Sequence, residues 1–268
     1  MEAVEIADGI YWVGALDWNC RSFHGFATPR GTSYNAYLLL DERNVLIDSV
    51  KAPFMEEMMA RVRSVIDPRE IDLIVSNHAE GDHASGLPML QELTGAEVLA
   101  SKRGVEALAL NYGRLRMREV ADMEELRIGR RTLRFIETPM VHWPESMFTY
   151  VVGDGVLFSM DAFGQHYCTS QRFDDQMDPG QLLEEAATYY ANIVLPFGAQ
   201  VKRAYEKVKG LPLRLLAPSH GVLWRAHIEE IVQAYLGWAE GRTEERVLII
   251  YDTMWGSTER MAMAMAEG

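Results

Sequence analysis

Two histidines and two carboxylates fall within six residues of the chain, at His78, Glu80, Asp82 and His83. Imidazole nitrogens and carboxylate oxygens are the side-chain donors that iron, manganese and zinc accept in proteins. The less specific interpretation is a solvated polar loop in which Asp82 caps a helix. Four potential ligands at this close spacing favour a metal site over that alternative.

Three more candidate ligands lie further along the chain, at His142, Asp161 and His220, each just beyond an apolar run typical of a β-strand. If those strands run in one direction, their carboxyl ends meet, and all seven side chains share one pocket. Seven ligands exceed the four of a tetrahedral site, so we expect two metal ions. Asp161 is the expected bridge, because a carboxylate offers two oxygens whereas an imidazole offers one free nitrogen.

Hydrophobic periodicity predicts the elements that must position these ligands. The run 71–75 predicts a short buried strand, and a helical pattern begins near residue 85, so the first four ligands lie in a strand-to-helix loop. Similar patterns predict strands at 4–14, 34–40, 45–48, 97–100, 133–136, 147–152, 156–160 and 213–217, and helices at 54–66, 104–112, 179–190, 197–209 and 227–240. This order is typical of an α/β or α+β sandwich, in which helices cover the sheets.

Composition argues against several classes of function. The formal net charge of −13 argues against a nucleic-acid surface, since phosphate binding depends on clustered Lys and Arg. The two cysteines, Cys20 and Cys168, form no CxxC pair, so neither a disulfide scaffold nor a cysteine-ligated cluster is indicated. Apolar runs end well short of the ~20 residues of a membrane span, and the N-terminal segment is acidic, so we expect a cytoplasmic protein.

A second unit is predicted near the carboxyl end. The polar segment 241–245 separates a first domain, 1–241, from residues 246–268. In the latter, 247–251 predicts a buried strand and 258–267 a helix, joined by a loop whose hydroxyl and N–H groups suit a phosphate dianion. One strand and one helix cannot bury a core, so we expect packing on the first domain or the start of a longer domain.

The metal loop resembles that of the metallo-β-lactamase superfamily, whose members carry a His-x-His-x-Asp-His loop and later His, Asp and His ligands. Glu80 in place of the second histidine is similar to the flavodiiron proteins, or A-type flavoproteins, in which a lactamase-like domain with a non-haem diiron centre precedes a flavodoxin-like domain that binds FMN. The resemblance covers essentially the whole chain and includes segments 17–25, 31–37, 142–147, 219–221 and 251–259.

The resemblance implies an αβ/βα sandwich followed by the first strand and helix of a flavodoxin-like domain. It assigns three ligands to each of two iron ions, with Asp161 bridging them: His78, Glu80 and His142 to one, and Asp82, His83 and His220 to the other. It also implies FMN contacts from a phosphate loop and from one tryptophan: Thr253, Met254, Trp255, Gly256, Ser257, Thr258 and Trp143. Because the chain stops at Gly268, we expect a truncated flavodoxin-like domain that does not bind FMN normally.

The function implied by the resemblance is reduction of O₂ to water, of NO to nitrous oxide, or of both. The diiron site would be re-reduced through FMN by a rubredoxin-like or other redox donor, in a head-to-tail homodimer. The anionic Glu80 suits this role, because a hard carboxylate stabilises the ferric state. Two alternatives stay open: a binuclear zinc hydrolase on the same fold, and a non-catalytic gas or redox sensor. Sequence does not rank O₂ against NO.

The remaining aromatic and histidine residues carry weaker signals. His24, in an aromatic loop, and the pair Tyr189 and Tyr190 are candidates to hydrogen-bond bound oxygen species, with ordinary packing as the alternative for each. His166 and His227 are interpreted as surface or satisfied core residues, because a lone histidine is seldom a ligand.

Overall fold

The computed structural model describes residues 1–243 and 245–268. Its strands, in chain order, are β1 (Val4–Ala7), β2 (Ile10–Trp12), β3 (Ala15–Asp17), β4 (Ser22–Phe23), β5 (Phe26–Ala27), β6 (Thr32–Tyr34), β7 (Tyr37–Leu39), β8 (Asn44–Ile47), β9 (Ile71–Val75), β10 (Glu97–Ser101), β11 (Met117–Val120), β12 (Glu125–Arg127), β13 (Thr132–Glu137), β14 (Met147–Val152), β15 (Val156–Met160) and β16 (Leu215–Pro218).

The helices cover the sheets and connect their strands. In chain order they are α1 (Met55–Arg63), α2 (Gly81–Ala84), α3 (Leu87–Thr94), α4 (Lys102–Tyr112), α5 (Pro179–Tyr189), α6 (Gly198–Val208), α7 (Ile228–Ala239) and α8 (Ser257–Glu267). Short 3₁₀ turns lie at Ala52–Phe54, Pro68–Glu70, Asp174–Gln176 and Leu195–Phe197, and one π-helical turn at Tyr190–Val194. Within the described ranges, no helix is long and apolar enough to cross a bilayer.

Two mixed sheets form the body of the fold. The first has seven strands in the order β1-β2-β7-β8-β9-β10-β11, and the second has five in the order β12-β13-β14-β15-β16. The pairs β3-β6 and β4-β5 form two small additional sheets. The predicted α+β sandwich is therefore confirmed, and the strands of its two main sheets, apart from β11 and β12, fall on the predicted apolar runs.

Central strands are apolar on both faces because each lies between the other sheet and a layer of helices. On β7, Tyr37 faces the second sheet, where its ring lies 4.8 Å from that of Phe158 on β15. Leu38, one residue on, packs instead in the cluster that contains residues of α1, α3 and α4. Leu157 of β15 likewise packs with residues of α5, α6 and α7. Alternating side chains thus build three apolar layers around two sheets.

The strand directions bring the candidate ligands to one edge. Strand β14 runs antiparallel to both β13 and β15, and β16 runs parallel to β15, so β13, β15 and β16 share a direction. The prediction that the strand ends before His142, Asp161 and His220 converge is confirmed. Strand β9, which leads to His78, lies in the other sheet, parallel to β8 and β10. The centre therefore draws ligands from both sheets.

Several boundaries differ from the prediction. Residues 4–14 form a hairpin of β1 and β2 rather than one strand, because Gly9, with φ of +63°, turns the chain between them. Asp82 and His83 lie on the single helical turn α2, not in an open loop. Strands β11 and β12 lie at the edges of their sheets, and the sequence patterns did not predict them.

The carboxyl-terminal segment agrees only in part. Helix α8 matches the predicted helix, but residues 247–251 form no strand, so that prediction is wrong here. The side chains of Val247 and Ile250 are 90% and 86% exposed. A strand is stable only with a hydrogen-bonded neighbour and an apolar cover, and this segment has no strand partner among the described residues. Glu244, in the predicted linker, lies outside the described residues.

Candidate metal centre

The structure brings all seven candidate ligands together at the edge where the strands end. They fall into two groups, and within each group the ligand atoms lie within 4.8 Å of one another. The groups are His78, Glu80, His142 and Asp161, and Asp82, His83 and His220.

Asp161 lies between the two groups and faces both. Its Oδ2 is 3.3 Å from Nε2 of His78 and 3.1 Å from Nε2 of His142. Its Oδ1 is 3.2 Å from Nε2 of His83 and 3.4 Å from Nε2 of His220. Each carboxylate oxygen therefore lies close to one pair of imidazoles, which is the geometry that a bridging ligand needs.

The other two carboxylates each serve a single group. Oε2 of Glu80 lies 3.0 Å from Nε2 of His78 and 3.3 Å from Nε2 of His142. Oδ2 of Asp82 lies 3.2 Å from Nε2 of both His83 and His220. Asp82 is only 6% exposed, and its Oδ1 has no polar partner among the described residues. A buried carboxylate is costly unless a cation compensates its charge, so this cluster fits a metal site.

The carboxylates and imidazoles shift one another's protonation. Burial alone would lower the pKa of His142, but hydrogen bonds to Asp161 and Glu80 raise it to about 9. Burial would likewise lower the pKa of His220, yet its contacts with Asp161 and Asp82 raise it to about 10. For Glu80, burial favours a raised pKa, but the hydrogen bonds from His142 and His78 lower it. Protons on the imidazoles thus balance the carboxylates until a metal ion replaces them.

Metal binding should therefore release about three protons per chain at pH 7, because ligated imidazoles are neutral. One comes from His78, whose pKa is also raised well above its ordinary value, and one each from His142 and His220. The pKa values of the last two, about 9 and about 10, exceed the 6.5 of an ordinary histidine. The stability they give the metal-free fold is complete below pH 6.5 and is lost as the pH rises through about 9 to 10. Calorimetric titration with Fe²⁺ or Zn²⁺ in buffers of different ionisation enthalpy measures the release, and a heat independent of the buffer would contradict the prediction.

A buried hydrogen-bond network fixes the loop after β9. The backbone N–H of Asn77 donates to Oδ1 of Asp48 at 2.7 Å, and its side-chain Nδ2 donates to Oδ2 at 2.9 Å. Oδ1 of Asn77 accepts from the Thr149 hydroxyl of β14 at 2.7 Å. Asn77 therefore ties the first sheet to the second directly before His78, which holds that imidazole at the junction between sheets.

A second network holds the turn that carries His220. Asn35 donates from Nδ2 to the carbonyl oxygens of Pro218 at 2.8 Å and Gly221 at 3.0 Å. Its Oδ1 accepts from the indole N–H of Trp12 at 2.8 Å. Asn35 is fully buried, so water cannot replace these contacts.

Replacing Asn35 with leucine should destabilise the protein by about 3 kcal/mol. The indole N–H of Trp12 would lose its buried acceptor, and the carbonyls of Pro218 and Gly221 would each lose one of two donors. The measurement is the free energy of unfolding from urea denaturation. Asn111, exposed on α4, is the matched control: the change from Asn111 to leucine should stay within about 0.5 kcal/mol. Equal effects of the two substitutions would show that the Asn35 contacts contribute nothing.

The other predicted site residues have different surroundings. His24 is half exposed, and its Nε2 lies 2.9 Å from Oε1 of Glu80. The Trp143 ring stands edge-on to that of His78, with centroids 5.2 Å apart. Tyr189 is buried beside His220, with ring centroids 5.9 Å apart.

Tyr190 lies among aromatic core residues rather than beside an imidazole. Its ring packs on those of Tyr235 at 4.9 Å and Trp238 at 5.2 Å. The difference from Tyr189 follows from helix geometry, because adjacent residues of a helix point about 100° apart. These contacts favour the packing alternative for Tyr190.

The sequence did not place two residues beside the centre: Glu145 was given no role, and His166 was interpreted as a surface or satisfied core residue. The core interpretation of His166 holds only in part, because its Nδ1 lies 2.9 Å from the Thr32 hydroxyl but its Nε2 has no partner among the described residues. His166 is buried, with its ring 5.2 Å from that of His220, and burial, together with the charge of His220, lowers its pKa to about 3.

Glu145 is buried, and its Oε1 lies 2.8 Å from Nδ1 of His78. Burial favours a raised pKa for Glu145, but the hydrogen bond with His78 lowers it. His227 is a partly exposed surface residue, 3.1 Å from Glu230, as predicted.

The predicted phosphate loop is open. Met254 and Trp255 are each 86% exposed, and Gly256, with φ of +73°, leads into α8 at Ser257. The Thr253 hydroxyl oxygen is buried and has no hydrogen-bond partner within the described part of the chain. A free hydroxyl before a helix N-terminus offers donors that suit phosphate, so this loop fits an FMN phosphate in part.

The chain is similar to known proteins along its whole length. Residues 32–221 match the family model described as ODP family beta lactamase. The nitric oxide reductase of Moorella thermoacetica is 46% identical, over 100% of this chain and 69% of that protein. The rubredoxin oxygen:oxidoreductase of Desulfovibrio gigas aligns with a TM-score of 0.96 and 41% identity, over 99% of this chain and 68% of that one. The flavodiiron protein of Giardia intestinalis aligns with a TM-score of 0.95 and 40% identity, over 99% of this chain and 66% of that one. This chain therefore spans about two thirds of the length of each of these proteins.

Proposed function

The chain belongs to the flavodiiron protein family, and from that premise we propose that it supplies the diiron centre of a reductase of O₂, NO or both. The observation that carries the proposal is the Asp161 carboxylate, whose two oxygens face separate imidazole pairs. Glu80 adds a second anionic ligand to one of those pairs. Oxygen-rich imidazole sites of this kind suit iron that changes oxidation state.

In this proposal each iron has three ligands of its own and shares Asp161. The first would be held by His78, Glu80 and His142, and the second by Asp82, His83 and His220. Two ferrous ions bound there would supply two electrons and adjacent open coordination positions for diatomic molecules. The protein's own contribution is to hold both positions close together, which removes the orientational cost of bringing two reactants into contact.

Substrate would enter through the cleft beside Glu80 and Asp82, which has a volume of about 450 Å³. His24 lies on the rim of this cleft and can hydrogen-bond both Glu80 and an entering molecule. On the inner side, burial raises the pKa of Tyr189 well above its ordinary value, so its hydroxyl stays protonated as a potential donor. Both roles are part of the proposal, and ordinary packing remains the alternative for Tyr189.

Electron supply would involve the carboxyl-terminal segment. We propose that the loop 253–258 contributes the phosphate contacts of an FMN site that residues 1–268 do not complete by themselves. We also propose that a rubredoxin-like or other donor reduces the flavin, and that Trp143 lies near the flavin of a partner subunit in a head-to-tail dimer. The partition into a diiron domain, 1–241, and a flavodoxin-like segment, 246–268, belongs to the same proposal, as does a cytoplasmic location. Support comes from the helix N-terminus at Ser257 and the unpaired Thr253 hydroxyl.

Anaerobic single turnover tests the function without requiring FMN. The chain, loaded with iron and reduced with dithionite, should be reoxidised by NO, with one nitrous oxide formed for every two NO consumed. Two electrons and two protons balance that reaction, so one diiron centre suffices. Reduction of O₂ to two water molecules needs four electrons, so excess reductant must be present in that experiment. The readouts are nitrous oxide by gas chromatography and O₂ by electrode.

Each alternative predicts a different result. A centre with two irons per chain that neither gas reoxidises would contradict the reductase proposal. Preferential retention of zinc, with hydrolysis of ester or thioester substrates, would support the binuclear hydrolase. Tight gas binding with negligible turnover would support a sensor. A chain with Asp154, at the opposite end of the sandwich and paired with Arg131, changed to Asn is the control that should turn over normally.

A further inference from the structure

The imidazoles of the centre differ in what their outward nitrogen contacts. Their Nε2 atoms face the carboxylates, so Nδ1 points away from the centre. Nδ1 of His78 lies 2.8 Å from Oε1 of Glu145. Nδ1 of His220 lies 2.6 Å from the carbonyl oxygen of Ser33. Nδ1 of His83 is buried and has no hydrogen-bond partner in the described residues. Of these three, only His78 has an anionic partner.

Burial and hydrogen bonds fix the position of Glu145. It is 4% exposed, its Oε1 also accepts from the backbone N–H of Ala79 at 3.1 Å, and its carbonyl oxygen accepts from the Ser101 hydroxyl at 2.7 Å. Ala79 directly follows His78, so the same oxygen binds both the ring and its own backbone segment. With Oε1 accepting the Nδ1 proton, the Nε2 lone pair of His78 is directed at the centre.

This contact makes the hydrogen-bond partners of the imidazoles unequal in charge between the two halves of the centre. Asp161 is shared, and Glu80 and Asp82 contribute one carboxylate to each half. Glu145 adds a further carboxylate behind His78, whereas the corresponding partner on the His220 side is a neutral carbonyl. A carboxylate behind a ligating imidazole raises its basicity and favours the more highly charged metal ion.

We propose that Glu145 is a positioning residue that fixes the Nδ1–H tautomer of His78 and makes the iron on that side the more readily oxidised of the two. It acts through the imidazole and contacts no reacting atom. The inference rests on the proposed diiron centre, but it concerns a difference between the irons rather than the reaction that they support.

The test compares two substitutions of Glu145 in the iron-loaded chain. Glu145→Gln keeps the shape and the acceptor oxygen but removes the charge, so both irons should stay bound. When only one of the two irons is oxidised, the ferric ion can be in either half. The ratio of these two forms should then shift by about tenfold or more toward 1:1. Glu145→Ala also removes the acceptor, and iron affinity in the His78 half should fall about 10- to 100-fold. Mössbauer spectra of ⁵⁷Fe and EPR-monitored redox titration report the two irons separately.

Glu137 provides the matched control, because it lines the same small cleft as Glu145. Its contacts with Asp122 and Lys207 run through its backbone, so Glu137→Gln removes one nearby charge without touching His78. The inference is overturned if Glu145→Gln leaves both potentials and both Mössbauer doublets unchanged. It is also overturned if Glu145→Ala weakens both irons equally, which would mark a purely structural residue. Absence of iron from the unsubstituted chain would refute the proposed function instead.

Discussion

Replacing Asp161 with asparagine should weaken binding of both metal ions at once. Asp161 is the carboxylate that faces all four imidazoles, through Oδ2 on one side and Oδ1 on the other. An asparagine amide keeps one acceptor oxygen, but its NH₂ group has no lone pair to offer the second ion. We expect the affinity of each half to fall on the order of 100-fold, at the upper end of what loss of a supporting group costs. Metal retained per chain after dialysis against a chelator is the measurement.

The Asp82→Asn variant tests whether metal loss in Asp161→Asn comes from the loss of a bridging ligand or from the loss of one negative charge. The ion pairs of Asp82 in the described part of the chain are with His83 and His220, so Asp82→Asn should release one metal and leave the His78 half loaded. Circular dichroism of each variant tests whether the fold persists. If Asp161→Asn also loses only one ion, Asp161 belongs to one half and the bridge is refuted. If both variants lose both ions, the two sites bind cooperatively, and the shared carboxylate is not the reason.

Local patterns were enough to predict the candidate ligands. The strand at 71–75 coincides with β9, and His142, Asp161 and His220 were each found by the same rule, that loops at strand ends carry chemistry. The rule succeeds because apolar runs mark buried strands and polar side chains directly after them lie at the sheet edge. It gives no information on which sheet a strand joins, so it could not predict that each group combines ligands from both sheets.

The roles of the residues that support the ligands could not be predicted from the sequence, for a physical reason. Glu145 and His78 are 67 residues apart, and Asn35 and Pro218 are 183 apart. A buried hydrogen bond between such distant residues depends on the relative position of two sheets, which hydrophobic periodicity does not encode. Asn35 and Glu145 each resemble ordinary polar residues near strand ends. Only their burial in the folded chain identifies them as part of the centre.

The tail shows where a local pattern misleads. Residues 247–251 have the composition of a central strand, yet strand formation depends on a neighbour as much as on composition. Helix α8 forms in the same segment because its hydrogen bonds are internal to it. The difference between these two outcomes follows from where each element finds its backbone partners.

Glu80 is the residue whose replacement should change the chemistry of the centre most selectively. Its carboxylate contacts His78 and His142 through Oε2 and His24 through Oε1. Glu80→His would exchange an anionic oxygen for a neutral nitrogen, so the ferric state would lose stabilisation and zinc would compete better. We expect reductase turnover to fall about 10- to 100-fold or more, with a higher ratio of zinc to iron after growth in medium containing both metals.

Glu80→Gln separates charge from ligand type. It keeps the shape of the side chain and an oxygen donor, so a fall in turnover similar to that of Glu80→His would assign the effect to the lost charge. If Glu80→Gln instead turns over like the unsubstituted protein, the fall in turnover of Glu80→His is due to the nitrogen ligand. Metal content by mass spectrometry and NO consumption should be measured on the same preparations, because lost iron alone also lowers turnover. Unchanged iron content and turnover in Glu80→His would show that the carboxylate at this position does not select for redox chemistry.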